Sequence, residues 1–107
     1  MKIVFDHNVP KKLRSALPDH AVNTAQEMGW AELENGDLLR AAEAAGFEIM
    51  VTCDQNLSYQ QNLTDRKLAL VVLDTNNWKI LRRNRRLIAE AVYRAIPGSF
   101  QAVGVRV

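Results

Sequence analysis

The clearest structural signal in this chain lies at residues 47–57, which read Phe47-Glu48-Ile49-Met50-Val51-Thr52-Cys53-Asp54-Gln55-Asn56-Leu57. The apolar run at 49–51 begins after Gly46 and ends in polar residues, which is typical of a strand that is buried on both faces. Ligands of open parallel sheets bind at the carboxyl ends of the strands, where Asp54 is predicted to lie. The start of the chain repeats the pattern, because the apolar residues 3–5 are followed by Asp6.

Strands and helices are predicted to alternate along the chain. We expect strands at residues 2–6, 21–24, 49–51, 68–73 and 100–107, and helices at residues 10–17, 37–45 and 80–96, with a further short helix between residues 55 and 66. Asn8 is positioned to cap the first helix, and Asn35 or Gly36 to cap the second. This alternation predicts an α/β fold with a mostly parallel sheet of about four to five strands and helices on both faces. With 107 residues, the chain is expected to form one domain over residues 1–107.

The composition indicates a globular protein of the cytoplasm. Hydrophobic residues make up 48% of the chain and charged residues 24%, which excludes the composition of a disordered protein. No run approaches the roughly 18 apolar residues that a membrane-spanning helix needs, and the first residues lack the features of a signal peptide. Cys53 is the only cysteine, so the sequence excludes an internal disulfide and a multi-cysteine zinc site. We therefore expect a cytoplasmic protein that does not contact membranes.

Acidic residues are predicted to converge at one edge of this sheet. Asp6 and Asp54 follow strands one and three, and Asp37 opens the helix that precedes strand three, with Glu34 one turn earlier as an alternative. Clustered carboxylates repel one another unless a cation neutralises them, and such oxygen ligands suit Mg²⁺ or Mn²⁺. A metal of this kind can activate water and hold the oxygens of a phosphodiester. The polar neighbours that are predicted to orient the carboxylates or the phosphate are Asn8, Thr52 and Asn56.

Each of these features also has a purely structural interpretation, which the sequence leaves open. Asp6 and Asp54 are common turn residues, and Asp37 in a first helical turn stabilises the helix dipole. Several arginines crowd together in the last predicted helix, where they would either bind RNA phosphates or form a solvated surface with a few salt bridges. These arginines are Arg82, Arg83, Arg85 and Arg86.

Three acidic segments make this sequence similar to a known family. They read Lys2-Ile3-Val4-Phe5-Asp6-His7-Asn8-Val9-Pro10, Asn35-Gly36-Asp37-Leu38-Leu39 and Val51-Thr52-Cys53-Asp54-Gln55-Asn56-Leu57. In this order and spacing they resemble a PIN-like family of small prokaryotic proteins, and the resemblance extends over nearly the whole chain. His7 stands where that family usually has an acid.

The resemblance implies a single three-layer PIN-like domain, a fold shared with metal-dependent ribonucleases that include toxins of bacterial toxin–antitoxin pairs. It also implies that Asp6, Asp37 and Asp54 are metal-binding and catalytic carboxylates. Asp74, after the fourth predicted strand, is the candidate for the fourth acid of PIN nucleases. We therefore expect a Mg²⁺- or Mn²⁺-dependent ribonuclease with an RNA substrate, and an antitoxin-like protein or a second copy of the chain as its protein partner. The alternative is a non-catalytic PIN-like module that acts by binding protein or RNA.

Overall fold

The computed structural model describes residues 1–55 and 67–105, in which five strands form one sheet. The strands are β1 (Lys2–Phe5), β2 (Ala21–Thr24), β3 (Ile49–Thr52), β4 (Ala69–Leu73) and β5 (Phe100–Val103), in the order β2-β1-β3-β4-β5. Every neighbouring pair is parallel. The helices are α1 (Asn35–Ala44), α2 (Trp78–Arg83) and α3 (Arg85–Arg94), and Lys11–Ala16 forms a 3-10 helix. The predicted α/β class with a parallel sheet is confirmed.

Apolar side chains cover both faces of the sheet. On one face, Leu13 of the 3-10 helix, Leu81 of α2 and Ile88 of α3 belong to one buried cluster with residues from every strand. On the other face, Leu38 of α1 packs in a second cluster that includes Met50 of β3. Every residue of β3 and β4 is buried, as expected of parallel strands between two helical layers. The prediction of helices on both faces is therefore confirmed, and full burial of each leucine stabilises the fold by roughly 1.5–3 kcal/mol.

The first predicted helix differs from expectation in type and in capping. It is a 3-10 helix, in which the amide of Leu13 donates to the carbonyl of Pro10. Pro10 and Pro18 confine this helix to a short segment, and short segments are where 3-10 helices usually occur. Pro10 occupies the N-cap position without a side-chain cap, so the prediction that Asn8 caps this helix is wrong. Asn8 contacts β3 instead.

The last predicted helix, 80–96, is two helices separated by Asn84. Asn84 has φ −113° and ψ 21°, and its backbone amide donates to Leu81 rather than to Ile80. Its side-chain Nδ2 donates to the Ile80 carbonyl at 2.8 Å, which is the bond that the backbone amide would make in a continuous helix. This local competition ends α2 at Arg83, and α3 begins at Arg85. Asn77 caps α2, because its side chain accepts from the amides of Lys79 and Ile80.

Helix α1 begins two residues before the predicted range of 37–45 and ends one residue before the end of that range. Its N-cap is Glu34, which makes no side-chain capping hydrogen bond, so the prediction of a cap at Asn35 or Gly36 is wrong. Gly46 has φ +84° and its amide donates to Glu43, while the amide of the next residue, Phe47, donates to Ala42. This arrangement satisfies the last helical carbonyls and turns the chain into β3.

Some predictions fall on segments that the structure does not describe. The short helix predicted between residues 55 and 66 lies outside the described residues, as do the last two residues of the strand predicted at 100–107. Across residues 1–55 and 67–105, none of the helices has the length and apolar character needed to cross a bilayer.

Candidate functional site

The strand order creates one position where ligands commonly bind. After β1 the chain moves outward to β2, and it then returns past β1 to form β3 on the other side. Connections leave β1 and β3 in opposite directions, so a crevice opens between their carboxyl ends. Phe5 is paired with Val51, and the amide of Asp6 donates to the Val51 carbonyl at 2.9 Å. Asp6 therefore lies at this crevice, beside the last residue of β3, Thr52.

The side chain of Thr52 links the two strand-end acids. The Thr52 hydroxyl donates to Oδ2 of Asp6 at 2.7 Å, and the oxygen of this hydroxyl accepts from the backbone amide of Asp54 at 3.0 Å. Thr52 is completely buried, and among the residues that the structure describes it is the buried polar residue of the core. Oδ1 of Asp6 accepts from the amide of His7 at 2.7 Å. Hydrogen bonds to an ionised acceptor are stronger than neutral ones, so these contacts fix the Asp6 carboxylate at the crevice.

Asn8 and Cys53 join the turn after β1 to the turn after β3. Oδ1 of Asn8 accepts from the amide of Cys53 at 3.1 Å, and the Cys53 thiol donates to the carbonyl of Thr75 at 3.4 Å. Burial, and then the negative charges of Asp6 and Asp74, raise the pKa of the Cys53 thiol to about 12. The thiol is thus neutral at physiological pH, chiefly because it is buried.

Asp74 lies at the same edge, where it also has a structural contact. It follows β4 directly, and its Oδ1 accepts from the amide of Val105 at 3.2 Å. The side chain of Gln55 donates to the Asp74 carbonyl at 3.2 Å, which ties the turn after β3 to the end of β4. The strand ends that carry Asp6, Asp54 and Asp74 are therefore neighbours in the sheet.

Asp37 is at the same edge but is engaged elsewhere. Its side chain is 68% exposed and forms an ion pair with Arg40, one turn further along α1. The imidazole Nε2 of His7 is 2.8 Å from the carbonyl of Leu33, and a carbonyl can only accept, so Nε2 carries the proton. This bond holds the loop before α1 against the turn after β1. Glu34 is exposed at the start of the helix.

The donor set suits a metal that takes few protein ligands. Within residues 1–55 and 67–105, no three acidic, histidine or cysteine side chains come together as a metal-binding group. Mg²⁺ commonly binds through one or two carboxylates and keeps several waters for substrate phosphates. Asp6 and Asp54 fit that mode, whereas a closed cage of protein ligands does not. Asn56, the third predicted supporting residue, lies outside the described residues.

No family model matches this chain. The same is true of curated proteins and of solved structures, none of which shows detectable similarity to it. The resemblance to the PIN-like family therefore stays a prediction that rests on the acidic segments.

Two of these contacts were missed by reasoning from the sequence. His7 was noted only for standing in place of an acid, yet its ring connects the two loops that border the crevice. The Cys53 thiol donates to the carbonyl of Thr75, which joins the turn after β3 to the segment after β4. For His7, the signal in the sequence is its position directly after Asp6, an acid at the end of a strand. The position of the thiol between two carboxylates depends on the sheet order and has no sequence signal.

A large apolar cavity lies away from these acids. It measures about 610 Å³ and opens at the amino ends of the strands, where Met1, Ile49, Ala69 and Ile96 line it. The acidic side chains that line it accept hydrogen bonds from backbone amides; Glu48, for example, accepts from the amide of Lys2. The chemistry of the molecule is therefore concentrated at the carboxyl edge rather than in this cavity.

Proposed function

We propose that this protein is a PIN-like, metal-dependent ribonuclease whose site is the crevice between the carboxyl ends of β1 and β3. One observation carries the proposal: the buried hydroxyl of Thr52 binds the Asp6 carboxylate and the Asp54 amide at the same time. Both hydrogen bonds satisfy the buried hydroxyl, and they hold the Asp6 carboxylate and the backbone that carries Asp54 side by side at the crevice. Holding Mg²⁺ or Mn²⁺ is the task that fits two carboxylates.

The residues of the crevice divide the work. Asp6 and Asp54 would hold the metal, which when bound lowers the pKa of water for attack on a phosphodiester. Thr52 and the His7 amide keep Asp6 in one orientation, and Asn8 fixes the turn opposite it. Such positioning matters because small displacements of catalytic groups reduce rates strongly.

The remaining acids have secondary parts in this proposal. Asp37 reaches the crevice only by leaving its ion pair with Arg40, and Glu34 is the alternative acid on the same helix. Asp74 adds negative charge at the edge while it holds Val105. An RNA substrate approaches this edge, and the four arginines of α2 and α3, all exposed, bind its phosphates.

The proposed partners follow from the same reading. An RNase of this kind acts as the toxin of a toxin–antitoxin pair in the cytoplasm, with a small antitoxin-like protein as its inhibitor. Exposed apolar side chains at Leu87, Ile96 and Phe100 support contact with such a protein or with a second copy of the chain.

Cleavage of single-stranded RNA by the purified protein tests the proposal. We expect cleavage with Mn²⁺ or Mg²⁺ and none with EDTA, and Asp54→Asn should lower the rate by at least about 100-fold, because it removes a charge from the metal site. Asp19→Asn is the matched control, since Asp19 is an exposed turn residue before β2. Equal rates for Asp54→Asn and the parent would refute the proposed mechanism.

A non-catalytic binding module is the second candidate. The observation that favours it is the lack of a three-membered metal-binding group in the described part of the chain. Calorimetric titration with Mn²⁺ separates the two candidates. A site that is lost in Asp6→Asn supports the nuclease, whereas titrations without heat for both proteins support the module.

A further inference from the structure

The charge of the molecule is distributed unevenly. The chain as a whole has a net charge of +2, yet residues 78–94 contain only one acid, Glu90, among a group of basic residues. The basic residues are Lys79, Arg82, Arg83, Arg85, Arg86 and Arg94. The rest of the chain is therefore net acidic. This arrangement gives α2 and α3 a positive potential of their own, which attracts anionic partners.

The outer side of α3 carries an aromatic ring among these charges. Ile88, Ala91 and Val92 are buried in the core, whereas the exposed residues of α3 face outward; these include Arg86, Glu90, Tyr93 and Arg94. Tyr93 is 81% exposed, which is unusual for a side chain that normally buries its ring. The outward residues line a shallow depression of about 460 Å³, formed by Arg86, Ala89, Glu90, Tyr93 and Arg94.

We infer that this depression is a stacking subsite for single-stranded nucleic acid, in which a base lies on the ring of Tyr93 and Arg86 and Arg94 bind the flanking phosphates. Proteins that bind single strands combine a positive groove with aromatic rings on which bases stack. Arg86 and Arg94 lie about 12 Å apart along the helix axis, at the two ends of the depression. The choice of RNA as the strand rests on the proposed function, whereas the subsite itself rests on the surface of α3.

The chemistry of this surface favours a nucleic acid over other anionic partners. Arginine predominates over lysine, and its planar guanidinium group binds phosphate through two parallel hydrogen bonds. An interfacial membrane helix needs a broad apolar face, but the outward side of α3 offers mainly Leu87, 39% exposed, and Tyr93. An acidic peptide would use the charges but has no general need for an exposed ring.

Helices α2 and α3 lead from the edge that carries the candidate active site toward the stacking subsite. Helix α2 begins shortly after the carboxyl end of β4, and α3 then runs to the opposite edge, where β5 begins. Arg85 and Arg86 are therefore nearer to the acidic crevice, and Tyr93 is farther away. A strand that passes from the crevice along α3 meets the arginines first and the aromatic ring afterwards.

Glu90 provides the sharpest test, because it lies between the two arginines. Its carboxylate is 3.9 Å from Arg86 and 3.8 Å from Arg94, which are distances of weak ion pairs between exposed groups. In a phosphate-binding surface this carboxylate opposes the ligand. Its neutralisation should therefore strengthen binding, an effect that damage to the fold would not produce.

The experiment measures fluorescence anisotropy of a short, labelled single-stranded RNA in EDTA, so that binding is observed without metal-dependent cleavage. We expect Tyr93→Ala to weaken binding by about fivefold or more, while Tyr93→Phe, which keeps the ring, binds as the parent does. Arg94→Gln removes one phosphate contact, so the slope of log K against the logarithm of the salt concentration should become less steep by about 0.7. Glu90→Gln should bind more tightly. Asp19→Asn makes the same charge change as Glu90→Gln, but in the exposed turn before β2, and should leave the affinity unchanged.

Several outcomes would overturn the inference. These are equal affinities for Tyr93→Ala and the parent, no gain for Glu90→Gln, no binding by the parent, or a change of oligomeric state in Tyr93→Ala that accounts for the loss. The last outcome, checked by light scattering, would assign the surface to a second copy of the chain. Binding by the parent without cleavage in Mn²⁺ would refute the proposed nuclease and leave the subsite in place. Cleavage by the parent together with unchanged binding by Tyr93→Ala would support the nuclease and refute the subsite.

Discussion

Replacement of Thr52 by valine should destabilise the fold although the two side chains have nearly the same shape. The substitution removes the hydroxyl that donates to Asp6 and accepts from the Asp54 amide. A hydrogen bond to a charged group contributes roughly 1.5–3 kcal/mol, and the amide loses one acceptor in addition. The methyl group of valine offsets part of this loss, so we expect a net cost of about 2–3 kcal/mol. For a domain of this size, that cost lowers Tm by roughly 10 °C.

Urea unfolding followed by the fluorescence of Trp30 and Trp78 measures this cost. Thr52→Ser is the matched control, because it keeps both hydrogen bonds and loses only a buried methyl group, at about 1 kcal/mol. The urea midpoint should fall further for Thr52→Val than for Thr52→Ser, with the same slope for both. If Thr52→Val proves at least as stable as Thr52→Ser, then the hydroxyl does not hold the crevice together, and the reasoning about Asp6 fails with it.

Three further predictions concern single side chains. Hydrogen bonds, first from Arg14 and then from the Thr24 amide, lower the pKa of Glu27 from 4.5 to about 2, so the stability that Glu27 contributes is present above pH 4.5 and is lost as the pH falls toward 2. The urea midpoint of the parent should therefore fall more over this pH range than the midpoint of Glu27→Gln, and a parallel fall in both proteins would contradict the prediction. Asn77→Ala should cost about 1 kcal/mol in urea unfolding through loss of the α2 cap, while Asn77→Asp retains the cap, and equal losses in both variants would exclude capping as the cause. Because its pKa is raised to about 12, Cys53 should react with iodoacetamide at pH 8 far more slowly in the folded protein than in urea, and similar rates would show that the thiol is not protected.

The parallel sheet could be predicted from the sequence because its strands are continuous apolar runs. The residues of β3 and β4 are buried on both faces, so hydrophobicity alone marks them, and the acids that follow them mark their ends. The same logic placed Asp6, Asp54 and Asp74 at one edge, where the strand order brings their strands side by side. These successes depend on local patterns that the tertiary structure reinforces.

Other features depend on competition between side chain and backbone, which a hydrophobic pattern does not record. Asn84 interrupts a pattern that continues through it, because its amide takes the carbonyl of Ile80. The sequence predicts that Asn8 caps the first helix, but Pro10 occupies the N-cap position, and Asn8 accepts from the Cys53 amide across the crevice instead. In both cases an asparagine has several backbone partners within reach, and only the three-dimensional arrangement selects one.

The position of Asp37 shows a different limit. The sequence predicts that α1 begins at the acidic edge, and the bond from His7 to Leu33 agrees with that placement. Whether a first-turn acid faces the crevice or a neighbour on its own helix depends on the side-chain rotamer and on the residue one turn away. Arg40 occupies that place, and surface ion pairs of this kind contribute less than about 1 kcal/mol. A bound cation would therefore need little free energy to draw Asp37 away from Arg40.

The distribution of charge makes the proposed binding of RNA separable from its proposed cleavage. Asp6, Asp54 and Asp74 follow neighbouring strands at the carboxyl edge, so their negative charges oppose the approach of a phosphate until a cation neutralises them. The arginines of α2 and α3 carry no such requirement, because they are exposed and largely unopposed by acids on their own helices. An RNA strand would thus bind along α3 without metal and enter the crevice only when metal is present. Metal should then have a larger effect on the cleavage rate than on the affinity for RNA, and this difference follows from the separation of the two charges within one small fold.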